Sequence, residues 1–195
     1  MLVEPVTLSG KVVRLEPLAL EHAADLALIG QDPSIWRFMV YGDIITPQKM
    51  DFWVRDILSR KAAGTDQPFV IRHLTSGRLV GATRYMEIRP QHRGLEIGGT
   101  WIGKDFQRTK VNTEAKYLML AHAFEKLGCV RVQLKADSRN ERSIRAIERI
   151  GAIREGVLRK HMILENGVIR NSVYFSILDD EWPSVKARLE EKLAG

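Results

Sequence analysis

Polar and apolar residues alternate with two different periods along the chain, and each change of period marks a predicted element. KVVRLEPL (11–18) alternates with period two, which predicts a half-buried strand. Residues 21–29 place apolar side chains at helical spacing. A second helix is predicted to begin at Pro47, after Thr46 as its N-cap, and to end near Gly64. The chain is therefore expected to open with a strand and two helices.

The period returns to two after Pro68. FVIRHL and RLVGATRYMEI predict a hairpin around the glycine turn at 76–77, and LEIGGTWIG (95–103) predicts a further strand. A polar stretch, 104–112, separates that strand from a long apolar helix predicted over 113–127. The residue after this helix is a glycine, which commonly ends helices.

The remainder of the chain combines a strand–helix pair with a final hairpin. The predicted elements are a strand over 130–136, a helix over 138–152, strands over 153–164 and 168–178 joined by Asn166-Gly167, and a helix from Asp179. Strands and helices do not alternate regularly along the whole chain, so a doubly wound sheet is not expected. The order of elements predicts one mixed α/β domain over residues 1–195.

Composition narrows the class of protein. The 195 residues are 45% hydrophobic and 28% charged, which is ordinary for a soluble globule, and no apolar run approaches the roughly 20 residues that span a bilayer. The N-terminus lacks the layout of a signal peptide, so a cytoplasmic protein without membrane contacts is expected. The single cysteine, Cys129, excludes an internal disulfide and a cysteine-rich metal site. We expect its thiol to be buried and inert, and we predict no metal.

The formal net charge of +6 favours an anionic partner, such as nucleic acid, a membrane surface or a phosphorylated cofactor. The densest basic group lies on one predicted helix, at Arg139, Arg142, Arg145 and Arg149, interleaved with glutamates. That pattern is typical of a solvated, salt-bridged helix face. Neither zinc-finger spacing nor an aromatic-basic motif accompanies it, so nucleic-acid binding is disfavoured.

The strand, polar loop and helix over 95–128 carry the strongest chemical signal. A helix that follows a strand presents unpaired N–H groups and the positive end of its dipole, which together bind phosphate. The loop adds hydrogen-bond donors and positive charge at the same end. The alternative is an ordinary helix capped by Asn112 or Thr113, with its lysines in water. The residues alone leave both interpretations open.

The stretch EIGGTWIGKDFQRTKVNTEAKYLMLAHAFEKLGCVRVQLKADSRNERSIRAIERIGAIREG resembles the GNAT acetyltransferases, and is closest to the branch of the RimJ and RimL N-acetyltransferases. The resemblance extends over nearly the whole chain. It implies a central, mostly antiparallel sheet that splays open, with helices on both faces. The family's loop pattern is Gln/Arg-x-x-Gly-x-Gly/Ala. Gln107 matches its first position, whereas Lys110 and Asn112 replace the small residues that let a backbone approach phosphate. Asparagine tolerates left-handed backbone angles. The lysine would offer its positive charge to the phosphate in place of a backbone amide.

The resemblance also implies a cosubstrate, acetyl-coenzyme A, and a set of contacts to it. The diphosphate would be held by the loop and first helical turn, Gln107, Arg108, Thr109, Lys110, Val111, Asn112 and Thr113. The pantetheine arm would pair with the backbone of Thr100, Trp101 and Ile102, which would also supply the oxyanion donor. Asn140 would hydrogen-bond the arm, and Ser143 would lie near the sulfur. The alternative for both is a helix cap, which is compatible with a ligand role.

The mechanism implied is direct attack of a neutral amine on the thioester. Ser143 is the best-placed proton donor for the thiolate, with Tyr174 a weaker candidate. Glu96 and Glu87 are the candidate bases, and outward-facing strand positions are the alternative for both. Some relatives carry an acidic residue near position 162, where this chain has methionine, so no base can be transferred from them. Two histidines stay open as candidates, His161 and His122, the latter expected on the surface of its helix.

The acceptor is predicted to be a primary amine, either a protein N-terminus or a small molecule. It would be selected by the first two helices and the last hairpin, whose aromatic residues, Trp36, Phe38, Tyr41 and Trp53, are expected mainly in the core. The family resemblance allows for a homodimer. The competing hypothesis is a catalytically degenerate coenzyme A-binding module with a regulatory role. A nucleic-acid-binding module is motivated by charge alone.

Overall fold

The computed structural model describes all residues, 1–195. The strands are β1 (Leu8–Ser9), β2 (Val13–Pro17), β3 (Gln67–His73), β4 (Leu79–Arg89), β5 (Gly94–Ile102), β6 (Arg131–Asp137), β7 (Ile153–Ile163) and β8 (Ile169–Leu178). The α-helices are α1 (Ala23–Ile29), α2 (Pro47–Ala62), α3 (Lys110–Ala121), α4 (Glu141–Arg149) and α5 (Trp182–Ala194). The strands form one sheet in the order β1-β2-β3-β4-β5-β6-β8-β7, in which only β5 and β6 pair in parallel. The mixed α/β class and the mostly antiparallel sheet are confirmed.

The sheet separates two apolar cores. On one face α1 and α2 bury Leu26, Met50 and Ile57 against the sheet. On the other face α3 and α5 bury residues such as Met119 and Leu189. Each helix covers one side of the sheet with its apolar stripe, which is the arrangement that the helical spacing predicted.

Several local predictions are confirmed in detail. The Thr46 hydroxyl accepts the N–H of Lys49 and caps α2, so the helix begins where Pro47 fits its first turn. Gly77 and Gly167 both adopt left-handed backbone angles, with φ of 67° and 78°, in the turns of the two hairpins. These positive φ values explain why glycine occupies those two turns.

The helix predicted over 113–127 differs from the structure at both ends. It begins at Lys110, because Thr109 has an extended backbone and its hydroxyl accepts the N–H of Val111. The prediction that Asn112 or Thr113 would cap this helix is therefore wrong. After Ala121 the helix widens into one π-helical turn over His122–Lys126.

The sheet opens between its two central strands. β5 pairs with β6 only over Gly94–Glu96, opposite Arg131–Gln133. Beyond these residues β5 continues beside β4 and β6 continues beside β8. The opening, which we call the split, begins after Glu96 and Gln133 and widens toward the C-terminal ends of the two strands. The chain leaves β5 toward the N-terminus of α3 and β6 toward the N-terminus of α4, so both helix ends flank the mouth of the split.

Candidate active site

The loop between β5 and α3 forms one side of the mouth. A 3₁₀ turn over Lys104–Phe106 follows the strand, and Arg108 then adopts a left-handed conformation with φ of 64°. Lys110 and Asn112 are both helical, so neither needs the backbone freedom of the glycine that it replaces. The sequence argument that asparagine is suited by its tolerance of left-handed angles does not apply at position 112.

The first turn of α3 keeps hydrogen-bond donors available. Thr109 accepts the N–H of Val111, whereas the N–H groups of Lys110 and Asn112 precede the first intrahelical bond and remain for a ligand. The side chain of Lys110 is engaged elsewhere, because its Nζ donates to the carbonyl of Leu193 in α5 at 3.0 Å. In this conformation the backbone of residue 110, rather than its ammonium group, is presented to an anion.

A side-chain contact joins the two sides of the mouth. Gln107 donates from Nε2 to the carbonyl of Ile102 at 2.9 Å and accepts from the guanidinium of Arg142 at 2.7 Å. Arg142 is exposed on the first turn of α4, where its positive charge faces the loop. The sequence placed Arg142 on a solvated basic face and gave no signal for this contact, which joins residues 35 apart.

The N-terminus of α4 forms the other side of the mouth. Asn140 caps the helix, its Oδ1 accepting the N–H of Ser143 at 3.1 Å, as the capping interpretation predicted. The Asn140 amide NH₂ is not used by the cap. The Ser143 side chain is half-buried, and its hydroxyl makes no hydrogen bond to the protein. Both groups are therefore free to contact a ligand in the split.

The three β5 residues predicted to contact the pantetheine arm, Thr100, Trp101 and Ile102, lie along the split. Their edge of the strand has no partner on the side of β6. The Trp101 side chain packs into the core under α1 and α2, whereas the Thr100 hydroxyl points to the α3 side and lies 2.8 Å from the hydroxyl of Thr83.

Glu96 lies at the closed end of the split, where the pairing of β5 with β6 stops, and we call this point the vertex. This carboxylate is 1% exposed and accepts from Gln133 at 2.7 Å and from the ammonium of Lys135 at 3.1 Å. Both bonds use Oε2, which leaves Oε1 without a protein hydrogen bond. Glu87, the other candidate base, is exposed at an irregularity of β4, so the outward-facing interpretation describes it better.

Two further candidates lie beside the vertex on the β7–β8 hairpin. The Tyr174 hydroxyl is 3.3 Å from Nε2 of His161, and Nδ1 of that ring is 3.0 Å from the Ser172 hydroxyl. Burial, followed by the charge of Lys135, lowers the pKa of His161. Burial, followed by the charge of Glu96, raises the pKa of Tyr174. At neutral pH this pair is therefore an imidazole beside a phenol, both neutral.

The sequence suggested that His122 lies on the surface of its helix, and the structure contradicts this. Its ring is half-buried, stacks on Tyr85 and hydrogen-bonds to that hydroxyl at 3.2 Å. Burial lowers its pKa. Tyr85 lies on β4, and its hydroxyl also donates to the carbonyl of Met119 in α3, so this pair belongs to the packing of α3 rather than to the vertex.

A cleft of about 460 Å³ opens on the α1–α2 side of the molecule. It lies between the segment connecting α1 to α2 and the turn of the β7–β8 hairpin, and charges of both signs line it, Arg37, Asp43, Lys49 and Glu165. The sequence predicted that the first two helices and the last hairpin would select the acceptor, and the cleft lies between those segments. Trp36 and Trp53 are buried in the core, as expected.

Other sequence predictions concern residues outside the split. Cys129 is buried, and burial raises the pKa of its thiol to about 11, so the thiolate is not formed at neutral pH. No group of three or more His, Cys, Asp or Glu side chains is arranged to hold a metal ion. None of the helices combines the length and the apolar composition needed to cross a bilayer.

The arrangement fits an extended ligand that carries an anion at one end. The unpaired edge of β5 matches a chain running along the split, and the free N–H groups of α3 with Arg142 match a diphosphate at the mouth. The same fit holds for the coenzyme A that the sequence resemblance implied.

Comparison with known proteins agrees with this geometry. The family described as acetyltransferase (GNAT) domain matches residues 13–153. A Bacillus subtilis (strain 168) protein, YdaF, provisionally named a ribosomal N-acetyltransferase, is 35% identical over 174 residues, which cover 88% of this chain and 92% of YdaF. A GCN5-related N-acetyltransferase from Brucella melitensis superposes with a TM-score of 0.91 at 28% identity, covering 97% of this chain and 86% of that one.

A more distant structure is that of Mycobacterium smegmatis RimJ in complex with CoA-disulfide. It superposes with a TM-score of 0.81 at 22% identity, covering 96% of this chain and 95% of RimJ. At this identity the likeness concerns the fold. The family match and the 35% relative bear on the activity, which is transfer of acetyl from acetyl-coenzyme A to an amine. This chain belongs to the GNAT acetyltransferases.

Proposed function

We propose that this protein acetylates a primary amine, on a protein N-terminus or on a small molecule, by direct attack of the amine on the thioester of acetyl-coenzyme A. The observation that carries the proposal is the split. β5 stops pairing with β6 after Glu96, and the N-termini of α3 and α4 lie on the two sides of the mouth. An extended thioester is accommodated there with its anionic end in the mouth and its acetyl end at the vertex.

Binding is assigned to the residues that surround the mouth and the β5 edge. Segment 107–113 binds the diphosphate through backbone N–H groups, while the Asn140 amide and the backbone of residues 100–102 bind the arm. The side chains at 110 and 112 do not exclude this assignment, because the Lys110 side chain extends toward α5 and both residues are helical. Arg142 contributes the positive charge beside the diphosphate that was expected, from the sequence, to come from Lys110.

Catalysis is assigned to Glu96 and Ser143. Oε1 of Glu96 takes a proton from the amine, directly or through one water, while the amine nitrogen forms its bond to the carbonyl carbon. The C–S bond then breaks, its electron pair stays on sulfur, and the Ser143 hydroxyl supplies the proton that converts the thiolate to the thiol. Glu96 then releases its proton to solvent and the Ser143 oxygen takes one from solvent, so the net products are the N-acetylated amine and free coenzyme A.

The cleft between the α1–α2 segment and the last hairpin is the proposed entrance for the acceptor. Its mixed charges suit a polar chain better than an apolar one. The provisional name of YdaF makes N-terminal peptides of ribosomal proteins one set of acceptors to test. Residues 1–195 as one acetyltransferase domain, a homodimer and a cytoplasmic location are retained as parts of the same proposal.

The test is release of coenzyme A thiol from acetyl-coenzyme A in the presence of ribosomal N-terminal peptides, other peptides, polyamines or aminoglycosides. The matched control for each peptide is the same peptide already N-acetylated. Turnover with one class of amine and none with its acetylated control supports the proposal. Thermal protection by coenzyme A without turnover of any amine supports the regulatory alternative.

A further inference from the structure

One arginine is buried on the face of β8 that carries Tyr174 and Ser172. Arg170 is 6% exposed, and strand alternation places its side chain on the same face as those two residues. Tyr174 lies beside the vertex, whereas Arg170 is four residues closer to the turn of the β7–β8 hairpin. Nη1 of Arg170 donates to the carbonyl of Phe38 at 3.4 Å, and the residues on both sides of Phe38 line the cleft. Arg170 therefore lies between the cleft and the vertex.

The protein supplies no carboxylate to this guanidinium. The hydrogen bonds of Arg170 are the one to Phe38 and one from Nε to the Ser172 hydroxyl at 3.0 Å, and it forms no ion pair within 4 Å. Asp137 lies opposite Ser172 in the β6–β8 ladder, but both of its carboxylate oxygens accept from Arg139. Nη2 of Arg170 makes no hydrogen bond to the protein and is not closed off from solvent. This nitrogen is therefore available to a ligand.

Arg170 keeps its positive charge at neutral pH. Burial lowers its pKa, an effect that the charges of Asp137 and Glu96 oppose, but an arginine side chain is not deprotonated in proteins. Burying a charge without a carboxylate at contact distance costs free energy. The bonds to Phe38 and Ser172 do not account for this cost, because a neutral glutamine would also donate to a carbonyl or a hydroxyl. A charge that is kept in spite of this cost indicates a ligand of opposite charge.

We propose that Arg170 binds a carboxylate of the acceptor, so that the enzyme acetylates amines which also carry an acidic group. The inference rests on the acetyl transfer proposed above and deepens it by naming the class of acceptor. Opposite charges then meet at both ends of the acceptor. Its ammonium approaches Glu96 at the vertex before it loses a proton, and its carboxylate accepts from Nη2 of Arg170. The carboxylate belongs either to a free amino acid or to an acidic side chain near the N-terminus of a peptide.

The experiment measures kcat/KM for acceptors that differ in one carboxylate. One arm pairs alanine, β-alanine and γ-aminobutyrate with their carboxamides, and the other pairs aspartate-containing tetrapeptide amides with their asparagine counterparts. The proteins are the wild type, Arg170→Gln and Arg159→Gln, which removes an exposed arginine from the same hairpin. The wild type and Arg159→Gln should prefer the acid member of a pair by about 10- to 100-fold, and Arg170→Gln should lose this preference. A merely structural role of Arg170 would instead lower kcat/KM equally for the acid and the amide.

Binding of the N-acetylated products is measured as well, because it needs no turnover. The N-acetylated form of each acid and amide is titrated by calorimetry into each protein in the presence of saturating coenzyme A. Tighter binding of acidic products by the wild type than by Arg170→Gln supports the assignment even if no amine is acetylated, an outcome that would count against acetyl transfer alone. Equal binding and equal turnover of acid and amide by the wild type would overturn the proposal. A preference for the acid that a folded Arg170→Gln protein retains would also overturn it.

Discussion

Replacing Lys116 by methionine should change how the stability of the protein depends on pH. Burial on folding lowers the pKa of this lysine from 10.5 to about 7. Between these two values the unfolded chain binds a proton that the folded protein does not, so the free energy of unfolding of the wild type rises with pH. A difference of roughly 3.5 units corresponds to about 5 kcal/mol over the whole window, at about 1.4 kcal/mol per unit. Methionine does not titrate, and this contribution disappears in the variant.

The measurement is urea unfolding at pH 7.5, 8.5 and 9.5, extrapolated linearly to zero denaturant. At pH 7.5 the variant should be the more stable protein, because it no longer buries a group that prefers to be charged. Across these two pH units the wild type should gain about 2.5 kcal/mol relative to the variant, and the gap should narrow accordingly. Lys126→Met removes an exposed lysine from the end of the same helix. Its free energy of unfolding should depend on pH as that of the wild type does. A gap between wild type and Lys116→Met that stays constant with pH would show that this lysine keeps its ordinary pKa, and would refute the reasoning.

Three further predictions follow from contacts that α3 and α4 make. Glu114 accepts three N–H groups of the β1–β2 turn at 2.6–2.9 Å, so Glu114→Gln should lower the free energy of unfolding by about 3 kcal/mol in urea titrations. Glu141→Gln, at an exposed position, should change the free energy of unfolding by less than about 0.5 kcal/mol. An equal loss of stability in the two variants would show that Glu114 does not hold the β1–β2 turn in place. Arg142→Ala should weaken coenzyme A binding about fivefold in calorimetry at low salt and less at high salt, and a salt-independent loss would argue against a charge effect. Ser143→Ala should slow turnover with near-normal coenzyme A affinity; an unchanged kcat would show that another group protonates the thiolate.

The order of elements was predictable from the sequence because each depends on local chemistry. Pro47 after Thr46 specifies a helix start, and Asn166-Gly167 specifies a hairpin turn, whatever the rest of the chain does. The start of α3 was misplaced by three residues for the same kind of reason. Thr109, Asn112 and Thr113 are all acceptable caps by residue type, and the extended backbone of Thr109 decided among them.

The candidate site was predictable where the family resemblance covered it and not where side chains meet across the fold. Segment 107–113 and Asn140 were identified from motifs. The contact between Gln107 and Arg142 and the approach of Lys116 to Thr100 join different elements, and no local pattern encodes them. Lys116 in particular resembles any polar residue of an amphipathic helix until the neighbouring strands are in place.

The sequence by itself determined the periods of the strands and helices and most of their caps and turns, since these follow from residue type and spacing over short distances. Its resemblance to the GNAT acetyltransferases was also visible without a structure. The tertiary structure decided which polar groups lose water and which face one another. It buried Glu96 at the vertex with Lys135, left Glu87 in solvent, and enclosed the Lys116 amine against Thr100 of β5. Desolvation depends on the whole surrounding volume, and that volume exists only after distant segments have packed together.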